Sequence, residues 1–510
     1  MSRCGCEPSA GAVLWYVVFF GFAINYMVRI NVNIAIVSMV QPRGRPAGET
    51  DARVSECFPA GGDEPSPPRG GAAGGNASAP RVAEEEPAQF PWDEHQQSLV
   101  LGAFFWAHWA TQLPGGVLAQ RYGTKLVFGL SNWLQCLLSF FIPLAAQLDL
   151  RILVFIRFLQ GLIAGFAWPS MHNLTAAWVP PNERSKFVTS YMGSSVGVMV
   201  TFPLFGWLTG VHGWPSVFYV TGALGTAWFC AWWLLVFDTP AEHPRMSSEE
   251  RDRIEDSLRH SKASKKLPTP WKHILLSAPV WMNIVAQWGD TWEMFTLTTQ
   301  APTYFKYIHG WDVGMTGLLS GLPHLCRIVV AYFMGVLCDW LLQSDVLPRT
   351  AVRKIATAVC CIGQGVFTVG LAFSGCNKLV SVACLMLATG MSGAISSGPL
   401  ASHIDLSPNF ASILLGVGNM ITVIPGIISP IIVGILTYHN QTVGQWQTVF
   451  LITAVMSASV GVCYLLCGSS ELQEWNDPAP TQGLKLLSGA GQALLPEHGT
   501  PTARRGAEDA

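Results

Sequence analysis

The amino-acid sequence predicts an all-α membrane protein of twelve transmembrane helices in two six-helix halves, and three observations carry that prediction. Half of the 510 residues are hydrophobic and only 12% are charged, against about 25% charged in soluble domains. Fifty glycines and twenty tryptophans suit a polytopic chain, because membrane helices tolerate glycine and the interfaces with water collect tryptophan. A crossing needs about 20 mostly apolar residues to traverse about 30 Å of hydrocarbon. Twelve stretches meet that need: 11–40, 96–119, 126–146, 152–178, 187–210, 216–236, 279–304, 315–340, 351–374, 379–404, 411–438 and 448–467.

The same composition narrows the function. Thirty Lys and Arg against 32 Asp and Glu give a net charge of -2, which is no field for a nucleic-acid backbone. No paired CxxC and no HExxH marks a metal site, and no nucleophile or cofactor constellation marks an enzyme. Of the 13 cysteines, Cys136, Cys230, Cys360, Cys361, Cys384 and Cys463 lie in apolar runs and read as small buried hydrophobes. Cys4 and Cys6 precede the first span and are open to acylation if cytosolic, although no myristoylation glycine accompanies them.

Along the chain, residues 1–10 form a short cytosolic N-terminus and 11–237 the first half. Span one is too long for a signal peptide and lacks a basic leader with a cleavage site, so it should stay in the protein. The segment 41–95 that follows is rich in Pro, Gly and acidic residues and reads as a flexible loop. Span five carries Gly193, Ser194, Ser195, Gly197 and Gly206, small residues that permit close helix packing. Residues 238–278 form a charged central loop, in which Ser247 and Glu250 make a capping box for a short surface helix. The second half covers 279–468, and 469–510 is a polar tail. Gly116-Val-Leu closes span two and Gly335-Val-Leu-Cys-Asp closes span eight, each before a basic loop, so the halves echo each other.

Lys and Arg in short loops set orientation. Arg121, Lys125, Arg184, Lys186, Arg349, Arg353, Lys354 and the cluster from Arg245 to Lys272 fall on one side, which places both termini in the cytosol. The opposite side carries the 41–95 loop and two glycosylation sequons, at Asn76 and Asn440. A third match, at Asn173, lies within span four and reads as accidental.

Ionisable residues inside the bilayer cost at least ~2.5 kcal/mol each even on the lenient insertion scale, so they mark function. Arg29 lies about 18 residues, roughly 27 Å, into span one, and Asn25, Arg29 and Asn33 recur at helical spacing with Tyr26 beside them. A guanidinium fork matches carboxylate or phosphate, and the competing reading is an ion pair with another span. Arg157 precedes Gln160-Gly161 in span four and can bind ligand or hold structure. Asp290 and Glu293, three apart on span seven, share a face. A carboxylate there holds its proton more tightly when desolvated and less tightly beside an arginine, so its pairing could drive coupling. Asp339, Arg327, His403 and His172 form a second tier of gating candidates, with His324 and Asp405 nearby; Asp339 is expected to anchor the basic loop beside it. His108 and His172 sit among Trp and Ser on apolar helices, the setting of hydrogen-bonded core histidines.

Several strings resemble a known family. Arg29-Ile-Asn-Val-Asn-Ile-Ala-Ile-Val, Phe104-Phe-Trp-Ala-His-Trp-Ala-Thr-Gln-Leu-Pro-Gly-Gly, Trp178-Val-Pro-Pro-Asn-Glu-Arg-Ser-Lys, Asp238-Thr-Pro with His243-Pro-Arg-Met-Ser, His403-Ile-Asp-Leu-Ser-Pro and Val443-Gly-Gln-Trp-Gln-Thr-Val-Phe are similar to the anion-cation symporters of the major facilitator superfamily, closest to the sialin-like branch. The resemblance implies the major facilitator fold and symport of an organic or inorganic anion, with Arg29 and Arg157 on the family's anion-recognising arginines. Two departures stand out. Ala164 replaces the span-four glutamate tied to proton coupling. Leu101 and Asp290 fall where the glutamate carriers have a histidine and an arginine, which argues against glutamate as cargo.

On this reading an incoming anion pairs with Arg29, assisted by Arg157, and displaces a resting contact with Asp290 or Glu293, which then takes a proton. The implied partners are a small anionic solute, a coupling cation (H+ or Na+) and the lipid bilayer, with no other cofactor, no metal and a monomeric chain. A sodium-driven phosphate carrier, a facilitator for a neutral or cationic solute, and a non-transporting sensor or adaptor are the rivals. The host membrane is the plasma membrane or an endolysosomal or vesicular one.

Overall fold

A computed structural model describes residues 9–41, 57, 89–179, 187–244, 246, 248–262 and 269–476 of the chain. Arg184, Lys186, Arg245, Ser247, Asn76, Cys4 and Cys6, and with them most of the 41–95 loop, lie outside the described residues.

Twelve helical passages follow the twelve apolar stretches. Span one is Ala10–Met39. Span two is Glu94–Gly102 with Phe105–Tyr122, and span three is Thr124–Ser139 with Ile142–Leu148, bent by 45°. Spans four, five and six are Leu150–Trp178, Thr189–His212 and Pro215–Leu235. Span seven is Ala278–His309. Spans eight to twelve are Val313–Gln343, Arg349–Ala372, Lys378–Leu406, Ala411–Leu436 and Val443–Cys467. Among the described residues nine of these are individually long and apolar enough to cross a membrane, and the bent pair makes ten. Spans two and seven fall short because polar side chains dilute them, His108, Thr111 and Gln112 in one, Asp290, Glu293 and several threonines in the other.

The expected surface helix of the central loop is present as Ser248–Lys262. Prolines stand inside spans two, five, seven, eight and eleven, where each removes one backbone donor and loosens the local ladder. Span eleven breaks at Val423, two residues before Pro425.

Among the described residues the main contacts between the halves pair span one with seven and eight, five with eight, and two with eleven, and Phe105 of span two also packs on Phe295 of span seven at 4.7 Å. The tightest needs glycine on both sides. A Cβ on Gly206 of span five would lie 2.8 Å from the carbonyl oxygen of Val313 and 3.0 Å from Gly317 Cα. Gly193 and Gly197 bring span five against span one in the same way, with Phe19 and Ala23 backbone filling the space a side chain would need. At the end of the molecule remote from the described ends of the chain, His95 of span two packs its ring against Tyr438 beyond span eleven at 4.4 Å, and a Glu94 carboxylate oxygen accepts from the His439 amide at 3.3 Å. A disulfide joins Cys57, in the loop after span one, to Cys376, between spans nine and ten. No sequence pattern pointed to that pairing. Of the cysteines read as buried, Cys136, Cys360 and Cys361 are so, Cys384 is half-buried, and Cys230 and Cys463 are exposed on helix surfaces.

At the opposite end each half pins its basic loop with a carboxylate, and neither is Asp339. The Lys125 amide donates to Asp238 at 2.7 Å, beside Gly123, whose φ of +87° disfavours any other residue and where a Cβ would collide with the Asp238 carboxylate. In the second half Arg353 Nε donates to Asp405 at 2.6 Å, with Arg349 at 3.9 Å, and Arg353 Nη1 donates to the Ser397 carbonyl at 2.8 Å. Asp339 is exposed and makes no ion pair among the described residues. Its position at the end of span eight placed it near the loop in sequence, but the helix turns its side chain outward.

Candidate functional site

Spans one, two, five, seven and eight line a narrow central cavity that is partly open to solvent. Its polar lining comes from Tyr26, Arg29 and Asn33 of span one, Ser195 of span five, Thr298 and Thr299 of span seven, and His324 and Arg327 of span eight. Apolar walls are supplied by Ile30, Phe105, Val198, Met294 and Phe295. Two arginines from opposite halves therefore share one chamber, and among the described residues no carboxylate lines it.

Arg29 is 7% exposed. Its guanidinium lies 4.5 Å from the centre of the Tyr26 ring, 5.5 Å from Phe104 and 5.8 Å from Phe105. Its Nη2 lies 3.2 Å from Nε2 of His108, and its Nε finds no hydrogen-bond partner among the described residues. Aromatic faces and a histidine ring hold the cation without neutralising it. Arg327 is half-buried and makes no ion pair among the described residues. His324 is buried, with Nδ1 unpartnered.

The other expected anion ligands on the first half face elsewhere. Arg157 is fully buried and outside the cavity. Its Nη1 donates to the Val28 carbonyl at 3.2 Å and to Gln160 Oε1 at 2.9 Å, and its Nη2 to the Arg29 carbonyl at 3.2 Å. It bolts span four to span one and presents the backbone turn from which Arg29 projects. Asn25 donates to Asn132 Oδ1 of span three at 2.9 Å. At about 3.6 residues per turn each four-residue step drifts by only about 40°, so Asn25 lies close to the face of Arg29 and Asn33 but just outside the cavity lining. The cavity stripe runs instead through Tyr26, Arg29, Ile30 and Asn33.

The span-seven carboxylates are also turned away, so the resting pair of Arg29 with Asp290 or Glu293 is absent. The cavity face of span seven is Met294, Phe295, Thr298 and Thr299, and Glu293 stands on the opposite side of the helix. Asp290 accepts from Ser392 Oγ at 2.7 Å and Cys360 Sγ at 3.3 Å, with the Gln364 amide 3.1 Å away once correctly oriented. Its cationic neighbour is Arg327. Thr368 donates to Glu293 Oε1, and Ser457 of span twelve stands beside the same carboxylate. Both acids are sealed against spans nine, ten and twelve.

Of the second tier, Arg327 and its neighbour His324 reach the cavity among the described residues. His403 is buried with both ring nitrogens unpartnered, near Gln287 across Gly418. His172 is exposed and sets its ring against Tyr191 at 5.5 Å. Asn173 donates to the Ala119 carbonyl at 3.3 Å and Thr124 Oγ1 at 3.2 Å, so the sequon there is a helix-packing asparagine. Asn440 is exposed. Ala164 is fully buried in a cluster with Phe104, Phe105 and Phe295.

Comparison with known proteins fits this geometry. Residues 18–430 match the Major Facilitator Superfamily. Human sialin is 36% identical over 460 residues, covering 90% of this chain and 89% of sialin. The chain belongs to the anion-cation symporter family of this superfamily. Zebrafish (Danio rerio) vesicular glutamate transporter 3 is 34% identical over 472 residues, 91% of this chain and 74% of that protein, and human vesicular glutamate transporter 2 is 35% identical over 468 residues. Among solved structures, a bacterial homologue of the human lysosomal transporter Spinster, inward-facing and unoccupied, gives a TM-score of 0.61 at 13% identity over 91% of this chain and 98% of that one. A D-xylose-proton symporter gives 0.57 at 12% identity over 90% and 98%; at such identities the likeness shows the fold alone. This family member is a multi-pass membrane protein and a secondary transporter of a small solute, and its relatives are carriers and not enzymes.

Proposed function

We propose that the chain carries a small organic anion by alternating access and that Arg29 is its first ligand. The observation that supports this is an uncompensated cation: Arg29 sits in a low-dielectric site with aromatic faces, a histidine and no acid around it. A buried charge of this kind is costly unless paired, and an anion entering the cavity supplies the missing partner with a bidentate contact. Arg327 and His324 approach from the other half, so one anion could touch both halves at once and bias their relative position. A ligand moves such an equilibrium only through differential contacts in the two states. The absence of acids from the lining favours an anion over a neutral or cationic cargo.

Relatives named for glutamate and sialin put carboxylate-bearing solutes first in line. The Cys57–Cys376 bridge lies on the same side as Asn440, and disulfides persist in oxidising compartments, which supports a luminal or extracellular face there and cytosolic termini. Uptake of labelled sialate, glutamate, urate and phosphate into proteoliposomes, under imposed pH and sodium gradients, tests the reading. At least one anion should accumulate, and Arg29→Ala should abolish it while the protein remains folded. Transport of a neutral or cationic solute unaffected by Arg29→Ala would refute it.

A further inference from the structure

The hydrogen bonds around His108 fix which ring nitrogen carries its proton. Nδ1 lies 3.2 Å from the Gly161 carbonyl oxygen, which can only accept, so Nδ1 donates. Nε2 lies 3.2 Å from Arg29 Nη2, and a guanidinium can only donate, so Nε2 presents its lone pair. Nε2 of Gln112 adds a second donor at 3.3 Å. While Arg29 rests there, His108 is neutral. A proton on Nε2 would leave Arg29 without its acceptor and set two cations face to face in a site where His108 is only 1% exposed.

Protonation of His108 and the resting position of Arg29 therefore exclude each other. An anion in the cavity lifts both obstacles, since it draws the guanidinium off Nε2 and cancels its charge.

We propose that His108 is the group that binds the co-transported proton, and that it loads only after an anion has drawn Arg29 away. This rests on the anion reading above and adds the coupling group. The proton comes from water on the loading side and goes to the Nε2 lone pair, so a monoanion and a proton cross together without net charge.

The neighbours of His108 leave Arg29 in control. From span one the facing groups are Arg29 and, through it, Tyr26. From span four they are the Gly161 carbonyl and Arg157, which lies over the far-reaching Phe104 ring at 5.1 Å while that ring also stacks on His108 at 5.6 Å. Lys125 begins span three, well away from His108 along the fold, and span eleven carries no ionisable side chain. Span two itself adds Gln112, with Arg121 at its far end. Arg157 keeps its carbonyl partners throughout, so Arg29 is the charge that changes.

Anion and proton should then bind cooperatively, each raising the other's affinity by the same factor. Purified wild-type protein in weak buffer, mixed with sialate, glutamate, urate or phosphate, should take up protons from a pH indicator as the anion binds. His108→Gln keeps an oxygen to receive Arg29 but cannot load a proton. It should bind the anion with an affinity indifferent to pH, show no proton uptake, and lose its pH-driven accumulation. Anion exchange across the membrane should fall far less. Proton uptake or pH-driven accumulation persisting in His108→Gln would overturn the proposal, as would accumulation that follows sodium and ignores pH. If that variant does not fold, the wild type decides alone: anion binding without proton uptake overturns the proposal. A wild type that binds none of the four anions refutes the anion reading first, and this proposal with it.

Discussion

Spans one and seven hold corresponding places in their halves and treat their charges in opposite ways. Span one turns Arg29 into the shared cavity, where its neighbours are aromatic rings and a histidine. Span seven turns Asp290 and Glu293 away, into hydrogen bonds with Ser392, Cys360 and Thr368 of its own half. Both helices carry costly charges, yet only span one turns its charge into the cavity. The cavity is left cationic, and the carboxylates are positioned to hold the second half together.

This contrast can be broken by substitution, most severely at Arg157. Arg157→Ala removes the donor to three buried acceptors, each such charged hydrogen bond being worth about 1.5–3 kcal/mol. It should lower the unfolding temperature more than any other change named here, and Arg157→Lys should restore only part, since an ammonium cannot reproduce the fork. A well-folded Arg157→Ala that had lost only anion affinity would put Arg157 back among the ligands. Next comes Arg327→Ala, which loses the second cavity cation and should weaken the anion about tenfold, roughly 1.4 kcal/mol, in an equilibrium binding assay.

Asp290→Asn keeps an oxygen for Ser392 and Cys360, so the anion KM should stay within about twofold of wild type. A much larger rise would mean that span seven reaches the cargo in another state of the cycle. The smallest effect on transport is expected for Cys376→Ser. The bridge to Cys57 joins loops, and its loss should lower thermal stability, by about 2–4 kcal/mol in typical cases, while KM stays unchanged.

Much of the architecture was legible because hydropathy reports depth. The twelve stretches, the surface helix after Ser247 and the small-residue face of span five all follow from composition and period. Hydropathy does not report direction around the helix axis, and that is where the site reading went astray. Asn25 and Glu293 lie at the right depth and point to neighbours in their own halves. Arg327, placed in the second tier, faces the cavity because span eight packs on span five through Gly206 and Gly317. Asp405, not Asp339, holds the basic loop, since span ten returns to it in space but not in sequence. His108 read as a hydrogen-bonded core residue, and it is one; that its partner is Arg29 depends on how spans one and two pack, which no motif states. The disulfide joins cysteines 319 residues apart, beyond any spacing rule.

The most direct test of the central claim is equilibrium binding of the transported anion to purified Arg29→Ala, Arg29→Lys and wild-type protein. Loss of binding in Arg29→Ala, partial recovery in Arg29→Lys and equal unfolding temperatures for all three is the predicted result. Wild-type affinity in a folded Arg29→Ala would contradict the account.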